Sequence, residues 1–457
     1  MTRAELMQAT LIALSTPPRR VEPVAAYLTF SSESEFTLNV YDSAKHWNGT
    51  LEYSTDAQNW TEWDGTTTLS SSGGILNLRG TGNTVITGGD LFSRWKFTGT
   101  RISCTGNIEN LLDYATVAGG AHPAMQAFCY YYMFYGCTSL TSAPALPATT
   151  LSNSCYSHMF YGCSSLTSAP ALPATTLMSS CYSDMFRGCT SLTSAPALPA
   201  TTLSNSCYYY MFSGCTSLTS APALPVTALM SSCYDGMFQG CTSLTSAPAL
   251  PATTLMSSCY SDMFRGCTSL TSAPALPATT LSDHCYSSMF QGCTSLTSAP
   301  ALPVTTLSNY CYYCMFLNCT SLTSAPALPA TTLSDHCYCW MFNGCTSLTS
   351  APALPATTLS DYCYSLMFYG CVRLTSAPAL PATTLSDHCY YSMFAYCASL
   401  KLSSTQTGGY SYAYRIPSSG TGIAAGDSLT RMFNNTGGTF TGTPTINTTY
   451  YTTNPPV

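Results

Sequence analysis

Two cysteines recur along this chain at a fixed interval of 26 residues, and the residues around them recur with them. The first cysteine of each unit stands at Cys129 and at ten later positions, the last of which is Cys389. Units this similar cannot each bury an apolar face alone, whereas stacked units share one continuous core. The spacing therefore predicts a repeat solenoid of about eleven units.

Comparison of the units with one another separates fixed positions from changing ones. In the unit that starts at Ser152, the fixed residues fall at i, i+1, i+4 and i+5, and they are Cys155, Tyr156, Met159 and Phe160. The changing residues of that unit are Asn153, Ser154, Ser157, His158 and Tyr161. Residues three and four apart share one face of a helix. The pattern predicts about two and a half turns of amphipathic helix per unit, with Ser152 or Asn153 as the N-cap and Gly162 in the left-handed conformation after the helix.

The segment after the second cysteine of each unit, CTSLTSAPALPATTL, is predicted to form a short strand and an extended return. Leu140 and Ala143 have the spacing of inward-facing positions on such a strand. Pro144 and Pro147 then remove amide donors that a longer ladder would need. We expect a strand of about three to five residues in each unit.

The recurring run MFxGCTSLTSAPxLP resembles the BspA-type leucine-rich repeats of bacterial surface proteins and of phages and prophages from gut bacteria. The resemblance covers residues from about 129 to 400, and the period of 26 residues is longer than is usual for that family. It implies a leucine-rich repeat solenoid with a binding or adhesive role. It implies no particular ligand.

The flanks of the repeats differ from them in composition. Residues 27–120 carry alternating segments such as FTLNVY between Gly, Asn and Asp turns, which predicts a small antiparallel β domain. Residues 1–26 are expected to form a short helix and a linker that can act as an anchor, with Thr2 and Glu5 at capping-box spacing. Residues 401–457 are expected to cap the solenoid at 121–400. The predicted fold class is therefore α+β.

Composition excludes two classes of partner. Charged residues are 7% of the chain and the formal net charge is -6, so no basic surface is available to attract nucleic acid. No apolar run reaches the roughly 20 residues that a membrane-spanning helix needs. The N-terminal segment lacks the pattern of a secretory signal peptide, because Glu5 and Gln8 interrupt its apolar region.

Twenty-two of the 25 cysteines fall in the two repeat columns. Equivalent side chains of stacked units project in parallel, which suits neither the disulfide torsion of about 90° nor a tetrahedral zinc site. We therefore expect buried, reduced thiols and no metal ion or cofactor. Cys314 and Cys339 occupy changing positions and are the two thiols expected at the surface.

Catalytic groups are hard to find in a chain so poor in carboxylates. His284, His336 and His388 stand two units apart, roughly 10 Å if units stack like strands, which is too far for a shared metal ion. STDAQNWTEW at residues 54–63 faintly resembles the Asp-box hairpin of some glycan-active proteins, and a turn at Asp56 explains it equally well. No nucleophile lies at motif spacing from a base. We expect no enzymatic activity.

The changing positions of the predicted helix face carry many aromatic residues among Ser, Asp and Asn, a composition like that of antibody paratopes. The candidate binding surface consists of Tyr131, Tyr132, Tyr135, His158, Tyr161, Tyr209, Tyr210, Tyr313, Tyr369 and Tyr391. The strand face repeats TSAPAL almost unchanged and offers little variety for specific recognition. The helix face is thus the predicted contact surface.

These observations favour a non-enzymatic recognition protein. Its most favoured role is a phage fibre, decoration or tail-tip component on the virion surface, with the N-terminal region bound to other virion proteins and the solenoid bound to a glycan or protein of the host cell. A bacterial cell-surface or extracellular adhesin is the second role. A structural spacer without a ligand is the third, and assembly into a homo-oligomer is compatible with each.

Overall fold

The computed structural model describes residues 26–457. The helix predicted from Thr2 and Glu5 lies outside these residues. Two sheets precede the repeats. The six-stranded sheet has the order β4-β3-β6-β1-β8-β9, and the three-stranded sheet has the order β5-β2-β7. The strands are β1 (Leu28–Ser31), β2 (Thr37–Val40), β3 (Thr50–Ser54), β4 (Thr61–Glu62), β5 (Leu69–Ser70), β6 (Ile75–Thr81), β7 (Trp95–Thr98), β8 (Ile102–Thr105) and β9 (Leu140–Ser142).

The first unit of the repeats continues the six-stranded sheet. All pairs within the two sheets are antiparallel except β8 with β9, and β9 belongs to the first unit. A short helix, α1 (Asn110–Ala118), packs against β6, and a 3-10 turn covers Leu91–Ser93. Phe30 and Trp95 of the sheets contact Phe134 of the first unit at ring-centroid distances of 6.1 and 6.0 Å. The aromatic core of the sheets is therefore continuous with the core of the repeats.

The repeats contain no helix, so the helix predicted for each unit is wrong. The segment 153–162 is instead a run of consecutive turns, and equivalent runs recur in every unit from 127–136 to 387–396. We call each run a turn ribbon. Ser154, His158 and Gly162 have φ values of 53°, 57° and 71°, so every fourth residue is left-handed. A helix has no such residues in its interior.

Backbone amides of the turn ribbon alternate between two kinds of bond. Odd-numbered residues donate within the ribbon, as the Met159 amide does to the carbonyl of Tyr156 at 3.2 Å. Even-numbered residues donate to the next unit, as the Phe160 amide does to the carbonyl of Met185 at 2.9 Å. Half of the amides thus join neighbouring units, whereas a helix would use them all internally.

The strand predicted in each unit forms as a regular strand only in the first unit, where it is β9. After β9, the equivalent segments show isolated bridges, such as Ser350 with Ser376, and single weak bonds such as Thr167 to the Thr141 carbonyl at 3.4 Å. The inward leucine is fully buried in every unit, and Ala143 is partly buried against the core. The prolines of TSAPALP explain the short ladder, because they cannot donate hydrogen bonds to a neighbouring strand.

The core of the repeats is a set of parallel columns. Fixed tyrosines such as Tyr156 and fixed phenylalanines such as Phe160 are almost wholly buried at 26-residue steps. Neighbouring rings stack with centroids 5.4–6.0 Å apart in the tyrosine column and 5.5–5.8 Å apart in the phenylalanine column of the repeats. These columns, together with the cysteine, methionine and leucine columns, make the solenoid.

The chain after the repeats forms a four-stranded sheet in the order β11-β13-β10-β12. Its strands are β10 (Lys401–Ser403), β11 (Tyr412–Arg415), β12 (Gly437–Gly438) and β13 (Thr449–Thr452). Residues 428–434 lie against the last turn ribbon and accept hydrogen bonds from its even-numbered amides. Phe433 extends the phenylalanine column, 5.6 Å from Phe394.

Candidate functional site

The changing positions lie on one outer side of the turn ribbons, which we call the ribbon face. Fixed residues fill the inner side of each ribbon. The ten candidate residues are all half-buried on this face. Each side chain is therefore partly covered by its neighbours and partly open to solvent, as in many contact surfaces.

Five of the ten candidates form an aromatic cluster at the N-terminal end of the ribbon face. The members of this N-terminal cluster are Tyr131, Tyr132, Tyr135, His158 and Tyr161. Tyr132 lies 4.6 Å from His158 between ring centroids, and Tyr135 stacks on Tyr161 at 4.7 Å. Burial lowers the pKa of His158, and the nearby Asp184 carboxylate partly offsets that effect. The imidazole is therefore favoured in its neutral form within the cluster.

A buried carboxylate extends the N-terminal cluster toward the next tyrosines. Asp184 is only 3% exposed and holds the Arg187 guanidinium at 3.0 Å and the His158 imidazole at 3.5 Å. Arg187 lies over the ring of Tyr210 at 4.9 Å, and Tyr210 contacts Tyr209 at 4.5 Å. Seven candidates thus belong to one connected aromatic and charged surface.

A second aromatic array lies at the C-terminal end of the ribbon face, and the sequence reasoning missed it. It consists of the residues directly before the first cysteine of five consecutive units, and these are His284, Tyr310, His336, Tyr362 and His388. Their rings stack with centroids 4.5–4.7 Å apart and planes within 9–13° of one another. We call this array the His–Tyr ladder. The alternation His, Tyr, His, Tyr, His at one repeat position was the available signal.

The His–Tyr ladder forms one wall of a slot of about 370 Å³. Trp340 and Leu366 line it together with Tyr362 and its two histidine neighbours in the ladder. The short side chains of Cys339 and Ser365 lie between the larger ones, at the same repeat position as Tyr313 and Tyr391. Those two tyrosines, three units apart, lie toward opposite ends of the slot. Its volume is near the lower end of the ~300–1,000 Å³ that small-molecule sites usually have.

Polar groups of the slot and its surroundings favour hydrogen bonding. Burial lowers the pKa of His336, although Asp335 and Asp361 oppose the effect. The Nδ1 atom of His336 is buried and has no hydrogen-bond partner. A row of Asp and Asn residues runs beside the ladder, and the Asp361 carboxylate accepts a hydrogen bond from the Asp387 amide at 3.1 Å. A ligand in the slot would meet aromatic side chains and the imidazole rings of His336 and His388, with the row of Asp and Asn residues outside the slot lining.

The structure does not bring all ten candidates together. Tyr313 and Tyr391 belong to the slot, whereas Tyr369 contacts the exposed Tyr396 at 5.0 Å and does not line it. Between the two arrays, the ribbon face carries smaller residues such as Asp235, Gly236 and Ser261. The candidate site is therefore two separate arrays on one face.

All 25 cysteines lie in the described residues, where each is buried and free. The exposure expected for Cys314 and Cys339 is wrong, because they are only 5% and 3% exposed. Short side chains at these positions lie below their larger neighbours on the ribbon face, as Ser365 also does. Burial raises the pKa of Cys314 to about 12, which leaves its thiol protonated at neutral pH.

The second cysteine of each later unit has a structural role. Its thiol donates to the carbonyl of the phenylalanine in the preceding unit, as Cys267 does to Phe238 at 3.1 Å. Burial raises the pKa of Cys267 well above the ordinary thiol value. Within residues 26–457, no group of three or more His, Cys, Asp or Glu side chains is arranged to hold a metal ion.

The Asp56 carboxylate serves a turn. It accepts hydrogen bonds from the backbone amides of Gln58 and Asn59 at 2.9 and 2.8 Å and from the Asn59 side chain at 2.7 Å. These bonds hold the pKa of Asp56 far below its usual range. A carboxylate with this role is a poor acid catalyst, so this hairpin gives the enzymatic alternative no support.

The stacked core and the variable outer face define a repeat solenoid of the kind that acts as an interaction scaffold. The family model for BspA type leucine rich repeat region matches the chain in six copies, over residues 128–245, 205–348 and 286–401. These matches cover more than half of the chain, and the protein belongs to the BspA-type leucine-rich repeat family. It is a repeat protein of the surface and adhesion type, and such repeats are typically non-enzymatic.

Comparison with curated proteins and with solved structures found no match. In the part of the chain that the structure describes, no helix is both long enough and apolar enough to cross a membrane.

Proposed function

We propose that this protein is a recognition protein that binds a glycan or protein on a host cell through its ribbon face. The observation that carries the proposal is the gathering of aromatic residues into two arrays at positions where the fold accepts small polar residues. Serine occupies the ladder position in five consecutive units from Ser154 to Ser258, so the His–Tyr ladder is not a requirement of the fold.

The chemistry of the two arrays supports binding rather than packing alone. Half-buried tyrosine edges offer large contact area at low conformational cost, and this is the usual basis of recognition hot spots. The slot adds an open recess lined by two histidines, three tyrosines and Trp340. Leucine-rich repeat domains mediate protein interactions, which agrees with a scaffold role.

The proposed architecture is a solenoid of about eleven units with a period of 26 residues at 121–400, preceded by a β domain at 27–120 and capped by residues 401–457. Its proposed place is the virion surface of a phage, as a fibre, decoration or tail-tip component attached through the N-terminal region. The buried thiols suit synthesis in a reducing cytoplasm before assembly. A bacterial surface adhesin would use the same face.

The test replaces Tyr209, Tyr210 and Tyr313 with serine in one variant of the full chain. Serine occupies each of these repeat positions in other units, so folding should be retained, as circular dichroism and thermal melting will show. Binding to bacterial cells and to a glycan array should weaken by about tenfold or more, because aromatic hot-spot truncations typically cost ~2 kcal/mol or more.

The matched control places bulky residues on the opposite, monotonous side at Ser194 and Ser220, which are exposed. Unchanged binding by this control and weakened binding by the tyrosine variant support the ribbon face. If binding is lost only when Ser194 and Ser220 are replaced, the contact surface lies on the TSAPAL side. Absence of any binding by the unaltered protein would favour the spacer role.

A further inference from the structure

We propose that a cleft between the N-terminal sheets and the first unit binds the carboxylate or sulfate group of an acidic saccharide. The cleft has a volume of about 370 Å³. Tyr41, Arg94 and Lys96 line it on the sheet side, and Tyr135 and Thr138 line it on the repeat side. It is thus built by two parts of the chain that are distant in sequence and joined by the shared β8–β9 pair.

Positive charge is the unusual feature of this cleft. The chain has only 14 Lys and Arg residues, yet two of them line this one cleft. Neither Arg94 nor Lys96 forms an ion pair with any residue of the described chain. No Asp or Glu side chain lines the cleft. Two cations without a counter-ion in a partly enclosed space favour an anionic ligand.

The Arg94 side chain is held in place before any ligand arrives. Its guanidinium lies over the ring of Tyr41 at 3.5 Å, and its Nη1 atom donates to the carbonyl of Leu91 at 2.6 Å. A guanidinium has five N–H donors, so others are left for a planar carboxylate or a sulfate. Ordering the arginine in advance lowers the entropic cost of binding.

The other lining groups favour a small hydroxylated molecule. Tyr135 stacks on Tyr161 at 4.7 Å and Arg94 lies over its ring at 5.8 Å, so its hydroxyl group and edge are the parts that remain for a ligand. Thr138 and Ser139 add hydroxyl groups and Gly136 adds exposed backbone. The volume suits one sugar ring with its acidic substituent rather than a long polymer segment. An acidic residue at the end of a glycan chain fits these features.

The test titrates the full chain with glucuronate, with glucose 6-sulfate and with glucose, and it measures affinity by calorimetry at low ionic strength. One or both anions should bind while glucose does not, and the stronger anion identifies the preferred group. Lys96→Gln should weaken anion binding by about tenfold, since it removes a charge-assisted hydrogen bond to the anion. Arg94→Gln should weaken it at least as much.

Lys96 is exposed and its side chain forms no hydrogen bond with the described chain, so Lys96→Gln keeps the test valid if Arg94→Gln fails to fold. Arg373→Gln, exposed near the other end of the solenoid, is the control and should bind like the unaltered protein. Equal weakening by Arg373→Gln, or equal binding of glucose and the anions, would overturn the proposal. Lys96 lies outside the ribbon face. The result of the anion titration is therefore independent of the cell-binding experiment in which Tyr209, Tyr210 and Tyr313 are replaced.

Discussion

Single residues in the left-handed conformation make the turn ribbon possible. Glycine fills the last such position in nine ribbons, where φ is close to 70°, while Asn318 and Tyr396 fill it in two others. A Cβ atom added at Gly214 would meet its neighbours only at ordinary contact distances of 3.6 Å. The preference for glycine therefore comes from backbone conformation and not from lack of space.

Asp235 provides a prediction at the residue scale, because burial raises its pKa to about 8, with a further contribution from Asp262. An unfolded chain ionises aspartate near pH ~3.9. Between these values the folded protein keeps a proton that the unfolded chain has lost, so stability falls as pH rises from about 4 to 8. Asp235→Asn should raise the free energy of unfolding by roughly 1–3 kcal/mol at pH 8 and change it little at pH 4.

Chemical denaturation at the two pH values measures this effect. Asp283→Asn is the control, because Asp283 is exposed and asparagine keeps the oxygen that accepts a hydrogen bond from the Asn309 amide. The control should give the same small change at both pH values. A stabilisation by Asp235→Asn that did not grow with pH would contradict the assignment of a protonated carboxyl group.

At the scale of elements, one sequence pattern is compatible with two backbone structures. The fixed positions Cys155, Tyr156, Met159 and Phe160 fit a helix of 3.6 residues per turn and a ribbon with a period of four equally well, because the segment is too short to separate the two. The repeat and its buried columns were predictable, since they depend only on which residues are apolar. The turn ribbon was not, because it depends on amides that bond to the next unit.

At the candidate site, the slot was likewise not predictable from the sequence of a single unit. Its wall is formed by His336 and Tyr362 from neighbouring units, and its floor by short residues of those units. The sequence pattern placed the tyrosines on an outer face and showed His284, His336 and His388 two units apart, but the histidines were not combined with Tyr310 and Tyr362, which occupy the same position of the intervening units. The position before the first cysteine changes from serine to aromatic residues after Ser258. That change is visible only when this one repeat position is followed through successive units.

The phenylalanine column provides a prediction at this scale. Phe264 is fully buried and its ring lies 5.8 Å from those of Phe238 and Phe290. Phe264→Ala should destabilise the neighbouring units by about 3–5 kcal/mol, because it leaves a cavity in the column. Hydrogen exchange of the neighbouring ribbon amides of Asp262 and Gly266 should speed up locally. Met256→Ala in the same unit, where the side chain is 43% exposed, should change stability by less than about 0.5 kcal/mol.

At the scale of the whole molecule, the units are interchangeable building blocks. Residues 178–204 and 256–282 have the same sequence and lie three units apart. Deletion of residues 178–255 therefore joins two identical contexts without a mismatch. The variant should fold with a melting temperature within a few degrees of the unaltered protein, since each unit contacts only its neighbours.

Small-angle scattering should show the deletion variant shortened by about 14 Å, which corresponds to three units at ~4.8 Å each. A deletion of residues 178–242 removes two and a half units and serves as the control. It should fail to fold cooperatively, because the turn ribbon would meet the TSAPAL segment of the next unit. Cooperative folding of both deletions would show that the register between units is not what stabilises the array.

The hydrogen bonds between ribbons all run in one direction. This direction determines which edge groups must be covered at each end of the array to keep copies of the chain from joining one another. Every ribbon donates toward the next unit, so its two edges differ, with carbonyl acceptors on one and amide donors on the other. The amides of Ile86 and Trp95 cover acceptors of the first ribbon, and residues 428–434 cover donors of the last. A chain trimmed to its repeats would present matching edges at opposite ends. Such copies would add head to tail without closing, and the product would be an open-ended filament.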